Sequence, residues 1–201
     1  MMSHQPVQSA ASAELLDGRV VALRRLTGDD TAAALALHQH LTDHDRYFRF
    51  FTLNPVDLDK LVETMTEPSQ GQYAIGAFDA DRLIGIANYI VRSDDPEAAE
   101  IAVTVAHEDH SLGVGTALLK HLARIARARG IRRFVADVLG QNHLMFMVLS
   151  DLGWRRKPAE YGTVRHLEID LPDFDDKTPT SAAEVITRET KCQKLQLNSE
   201  Y

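Results

Sequence analysis

The stretch AEIAVTVAHEDHSLGVGTALLKHLARIARARGIRRFVADVL, residues 99–139, narrows the fold of this chain more than any other. Residues 99–108 and 131–139 are rich in β-formers. Between them, over 114–129, apolar residues recur at helical spacing, and Gly130 stands where helices commonly stop. Strand, helix and strand in that order form a crossover unit, which places the two strands parallel in one sheet. The turn at 110–115 therefore sits at the carboxyl end of a central strand, ahead of a helix whose first N–H groups lack intrahelical partners. Gly113 and Gly115 let a ligand approach the backbone without a Cβ in the way. Such a turn is suited to holding a phosphate.

The rest of the chain supplies the sheet. RVVALRRL (19–26) reads as a half-buried strand, and TGDD (27–30) as a helix start. TAAALALHQHL, 43–51 and 55–65 predict three short helices. QYAIGAFD (72–79), a DADR turn and 82–92 predict a hairpin. Downstream, 141–153 predicts a helix closed by Gly153, and WRRKPAEY with TVRHLEIDL a final strand pair. The class is α/β, with a central mixed sheet of about seven strands flanked by helices. A length of 201 residues at 44% hydrophobic suits one domain with a full core. That domain is predicted over 15–171, with 1–14 as a flexible N-terminus and 172–201 as a mobile C-terminal tail.

Several function classes are disfavoured. Neither a G-x-G-x-x-G dinucleotide fingerprint nor a Gly-Lys-Ser/Thr ending of a P-loop is present. A formal charge of −7 argues against a nucleic-acid binder. No window approaches the ~20 apolar residues of a spanning helix, and MMSHQPVQSAASAE has no secretory pattern, so a cytoplasmic protein is expected. Cys192 is the single cysteine, which leaves no internal disulfide and no multi-thiolate site. His40 and His44 would share a face only if one helix ran through both. With no clear third ligand for them, or for His38, His107 and His110, no metal is expected.

The turn His110-Ser111-Leu112-Gly113-Val114-Gly115 resembles the Arg/Gln-x-x-Gly-x-Gly/Ala signature of the GNAT superfamily of acyl-CoA-dependent N-acyltransferases, with His110 in place of the usual Arg or Gln. QNHLMFMVLSDLGW resembles the family's second signature, with Asn142 on its Asn and Gly153-Trp154 on the helix end. LLDGRVVALRRLTGDD and DRYFRFF are similar to bacterial members, several of them protein-lysine acetyltransferases. The resemblance spans about residues 15–171 and implies a GNAT-like acyl-CoA N-acyltransferase fold.

It also implies acetyl-CoA as cosubstrate and an amine acceptor, either a small molecule or a protein lysine. A homodimer is left open. Coenzyme contacts are implied for Val103, Thr104 and Val105 on the strand, for His110, Leu112, Gly113, Val114, Gly115 and Thr116 at the turn, and for Asn142. A backbone N–H near Val103 or Thr104 would face the thioester oxygen. Glu100, ten residues before His110, falls where several protein acetyltransferases carry a glutamate, which makes it the candidate catalytic base. An exposed strand-end glutamate is its other reading.

Leu149 occupies the position of the family's tyrosine acid, with Tyr89 as a candidate substitute or an ordinary packing residue. Lys120, Arg124, Arg127, Arg129, Arg132 and Arg133 either reach a coenzyme phosphate or form a solvated face. DRYFRFF with LVETM would form the acceptor lip. The alternative is a non-catalytic acyl-CoA-binding or sensing module.

Overall fold

The computed structural model describes residues 11–52, 54–67, 69–154 and 163–173. Among them the strands are β1 (Ala11–Glu14), β2 (Val20–Arg25), β3 (Gln72–Asp79), β4 (Arg82–Val91), β5 (Ala98–Val105), β6 (Arg133–Leu139) and β7 (Val164–Asp170). The helices are α1 (Thr31–Gln39), α2 (Asp43–Phe50), α3 (Leu58–Thr66), α4 (Val114–Ala128) and α5 (His143–Asp151). All seven strands join one sheet in sequence order. Neighbours are antiparallel except β5 and β6, which run parallel on either side of the α4 crossover.

Helices cover both faces, which is why β3 and β4 are buried almost throughout instead of alternating. On one face α4 lays down Val114, Leu118, Leu119, Leu122, Ala123 and Ala126, the three-and-four spacing of a single stripe, against Ile75, Ile84, Ala87, Ile101 and Phe134. On the other, Ala34 and Leu37 of α1 and Val62 and Met65 of α3 pack on Ala74, Phe78, Leu83 and Ile86. The Asn142 side chain accepts from the Met145 N–H and so starts α5.

The hairpin and α4 lie where the sequence places them. Residues 11–14, read as part of a flexible N-terminus, instead form β1, pairing Ala11 with Leu23 through Glu14 with Val20. The segment ASAE carries no β-former pattern, so only its partner strand reveals it. β5 ends at Val105 rather than at 108, because His107–Asp109 turn into a 3₁₀ segment. α1 stops at Gln39 and α2 starts at Asp43, so His40 and His44 never share a helix. Of the final strand pair, β7 is present, while 155–162 and the tail from 174 lie outside the described residues.

His38 of α1 is fully buried, and its Nδ1 bonds the Ala34 carbonyl at 2.8 Å. A carbonyl only accepts, so Nδ1 carries the proton, while Nε2 has no hydrogen-bond partner among the described residues. Burial pushes this imidazole down to about 4, against the backbone hydrogen bond, which opposes the shift. The unfolded chain, with an imidazole near its ordinary value of about 6.5, then binds the proton more tightly. Stability is therefore full above about pH 6.5 and falls as the pH drops toward 4, by about 3 kcal/mol in all. Replacing His38 by Gln should reduce the pH slope of the unfolding free energy in that window by up to about 1.4 kcal/mol per pH unit. Urea titrations at stepped pH measure it; an unchanged slope would show that His38 is not the proton site.

Candidate active site

β5 and β6 pair over three residues only, ending at Glu100 with Val135, after which the strands part. β5 continues to Val105 on β4 and β6 to Leu139 on β7, so a wedge opens between them. The Ala106 N–H donates to the Ile84 carbonyl at 2.9 Å, which sets the parity of the β4–β5 ladder. Residues 100, 102 and 104 turn their backbone groups toward β4. Those of Ile101, Val103 and Val105 face the wedge.

A cleft of about 390 Å³ fills this opening. Its sides are residues 100–105 of β5, Ala136, Asp137 and Val138 of β6, Asn142, Met145 and Val148 at α5, and Asp45, Phe48 and Arg49 of α2. Gly113, Val114, Gly115 and Thr116 close one end. The volume lies within the range of about 300–1,000 Å³ usual for small-molecule sites.

The turn is shaped by two left-handed residues, Ser111 at φ 62° and Gly113 at φ 86°. Gly113 is the N-cap of α4 and has no side chain with which to cap it. The Ala117 N–H reaches the Gly113 carbonyl, while the N–H groups of the first turn precede that ladder and are left for a ligand. At Gly115 a Cβ would stand 3.4 Å from Val148 Cγ2 of α5, in van der Waals contact with that helix.

Asp109 holds the turn to the sheet. Its carboxylate is 2% exposed and pairs with Arg19 and Arg82, each at 2.9 Å. Arg19 also binds Asp17 and Asp79, which draws the ends of β2 and β3 to the same point.

The α2 side is the polar one. Arg49 Nε donates to Thr104 Oγ1 at 3.2 Å. Burial pushes the Arg49 guanidinium down to about 10, and the Glu100 carboxylate opposes that shift, so the group remains cationic near neutrality. Glu100 is exposed and stands at the point where the strands part.

The structure gathers Glu100, Val103, Thr104, Val105, His110, Gly113, Val114, Gly115, Thr116 and Asn142 around this one cleft. Leu112 does not line it; its carbonyl accepts from the Leu16 N–H at 3.1 Å and its side chain packs on the core. Thr104 contributes its side chain, because its backbone belongs to the β4 ladder. His110 turns its Nε2 back to the Val105 carbonyl at 3.1 Å.

Leu149 is buried in the core, and so is Tyr89, stacked on Tyr73 with its hydroxyl near Arg129. Most of the basic residues around α4 already have partners: Arg127 with Asp173, Arg132 with Glu97, Arg133 with Asp95, and Arg129 over the Tyr73 ring. Sequence reasoning missed Asp45, Arg49 and Asp109 as individual site residues. Only the DRYFRFF segment signalled the first two.

Residues 26–145 match the Acetyltransferase (GNAT) family model, and the chain belongs to that family. It is 29% identical over 157 residues to an acetyltransferase of Pseudomonas aeruginosa, covering 75% of this chain and 84% of that protein. The GNAT domain of S. lividans PAT superposes with a TM-score of 0.74 at 30% identity, over 83% of this chain and 99% of that one. At 17% identity, yncA of Salmonella typhimurium, solved with its cofactor acetyl-CoA, shares the fold with a TM-score of 0.60 over 81% of this chain and 98% of that one.

Asp109→Asn removes the anion that two arginines share. It should lower stability by about 1–3 kcal/mol, read as a lower denaturation midpoint. An unchanged midpoint would mean that the pairs do not hold the turn.

Proposed function

We propose that this protein transfers an acetyl group from acetyl-CoA to a primary amine of the lysine type in a ternary complex. One observation carries the reading: a wedge between parallel strands whose free backbone groups and the uncapped N-terminus of α4 open into the same cleft. The fit of the coenzyme rests on those groups. Pyrophosphate would take the first-turn N–H groups over Val114–Thr116, with the αL backbone of Gly113 aiming them and the helix dipole adding to the attraction. Because the donors are backbone, His110 at the signature position need not supply charge.

Thiol ester carbonyl oxygen placed against the Val103 N–H would gain a hydrogen bond as it becomes an oxyanion, which is where such a donor lowers the barrier. The acceptor nitrogen attacks the carbonyl carbon, the C–N bond forms, the C–S bond breaks, and coenzyme A leaves as thiolate. A thiol of pKa about 8.5 is a competent leaving group without an acid, which suits a chain with Leu149 in the core where a phenol would stand. Its proton can come from water.

An alkylammonium near pKa 10.4 cannot pass a proton to a carboxylate near 4.3 as a separate step without an uphill cost of about 8 kcal/mol. The nitrogen therefore attacks as the neutral amine, its ammonium proton already given up to solvent water, and Glu100 takes the second proton as the C–N bond forms and the nitrogen becomes acidic, directly or through one water. The exposure of Glu100, at the point where the strands part, leaves room for an amine carried on a larger molecule, and this supports a protein lysine as acceptor.

Thiol release from acetyl-CoA with lysine peptides and free amines tests the reading. Turnover above hydrolysis is expected for at least one lysine-type acceptor. If none gives it while acetyl-CoA still raises the melting temperature, the protein is a non-catalytic binding module. Glu100→Gln should lower kcat by about tenfold or more, about 1.4 kcal/mol of barrier, with acetyl-CoA affinity kept. Unchanged kcat would remove Glu100 from the chemistry.

A further inference from the structure

Beside the cleft three side chains from two segments converge: Asp45 of α2, and His107 and His110 at either end of the 3₁₀ turn. One potential ligand atom from each lies within 4.8 Å of the other two. The structure assigns to them a binding site for a divalent transition-metal ion of the Zn²⁺ class, joining α2 to the turn before α4.

Zn–N and Zn–O bonds of about 2.0–2.2 Å in a tetrahedron put neighbouring ligand atoms about 3.3 Å apart. His107 Nδ1 and Asp45 Oδ2 stand 3.0 Å apart already. The third ligand needs a shift of no more than about 1.5 Å to complete the set, within reach of small side-chain rotations.

The outer partners are those that metal ligands use. His110 Nε2 donates to the Val105 carbonyl at 3.1 Å, which fixes the ring and leaves the lone pair on Nδ1. Thr42 Oγ1 donates to Asp45 Oδ2 at 2.7 Å. A hydrogen bond between His107 and Asp45 explains that pair but not the approach of the second imidazole, whose ring centre lies 5.2 Å from the first.

Charge points the same way. The Asp45 side chain is only 11% exposed, and among the described residues its ion-pair partners are histidines, with no Lys or Arg. A cation between the three groups would balance that carboxylate. Two imidazoles with one carboxylate suit Zn²⁺, Ni²⁺ or Cu²⁺ and disfavour Mg²⁺ and Ca²⁺, which take oxygen ligands. Three protein ligands leave a fourth position. Asp45 and His110 also line the cleft.

Calorimetric titration of the metal-free full chain with Zn²⁺ tests this, alongside His107→Gln, Asp45→Asn and a Mg²⁺ control. His107 is exposed and outside the cleft lining, so His107→Gln should fold and keep basal acetyl transfer. One Zn²⁺ per chain is expected, weakened by about tenfold or more in both variants, with no comparable Mg²⁺ binding. Co²⁺ should give the visible absorption of a four- or five-coordinate site in the native chain and lose it in His107→Gln. Equal Zn²⁺ affinity in the native chain and both variants, or no saturable binding at all, would overturn the assignment. The binding readout does not depend on acetyl transfer.

Discussion

The three-residue contact between β5 and β6 is the constraint on which the rest of the structure depends. A longer parallel pairing would close the sheet and satisfy every backbone group along both strands. A shorter one would sever β6 and β7 from the other five strands. With the pairing ended at Glu100, Val103 keeps its hydrogen-bonding groups on the open side, between the last paired residues and the Val105 carbonyl that His110 takes, inside a sheet otherwise covered by helices on both faces. Unpaired backbone in such a place needs water or a ligand, and the cleft holds it where a ligand can enter.

α4 makes the opening selective. Its buried stripe presses the helix on β3, β4 and β5, which carries the uncapped N-terminus to the end of the wedge. Asp109, tied to Arg19 and Arg82, fixes the turn that precedes it. The negative net charge of the chain and the positive end of the helix are thus separated: the surface is acidic, while the cleft offers N–H donors at one end and the Arg49 guanidinium on the α2 side. In the proposed reading an anionic coenzyme would be received by backbone dipoles in place of a basic side-chain cluster, since most of the arginines around α4 bind carboxylates of the protein itself.

The elements with long, regular patterns were legible in the sequence. The β3–β4 hairpin and α4 carry their own signals, a two-residue turn between apolar runs and a stripe ended by Gly130. The four-residue β1 has none, since Ala11–Glu14 are small or polar and become a strand only beside β2. Among site residues, the glycine turn could be read from its place in the strand order. The distinction between Val103 and Thr104 could not, because strand spacing gives the side-chain face, whereas the direction of the N–H depends on register with β4. Asp45 and Asp109 were hidden for another reason: their partners lie 62 residues away at His107 and 90 residues away at Arg19. Such pairings exist only in the folded chain.

Backbone amides are the central ligands in this account, and they can be observed one by one. Acetyl-CoA added to ¹⁵N-labelled protein should move the amide resonances of Val103 and of Val114–Thr116 together and saturably, with Thr104 and the α3 amides moving least. Shifts centred elsewhere, with Val103 and Val114–Thr116 unmoved at saturation, would contradict the claim that the strand wedge and the α4 N-terminus form the coenzyme site.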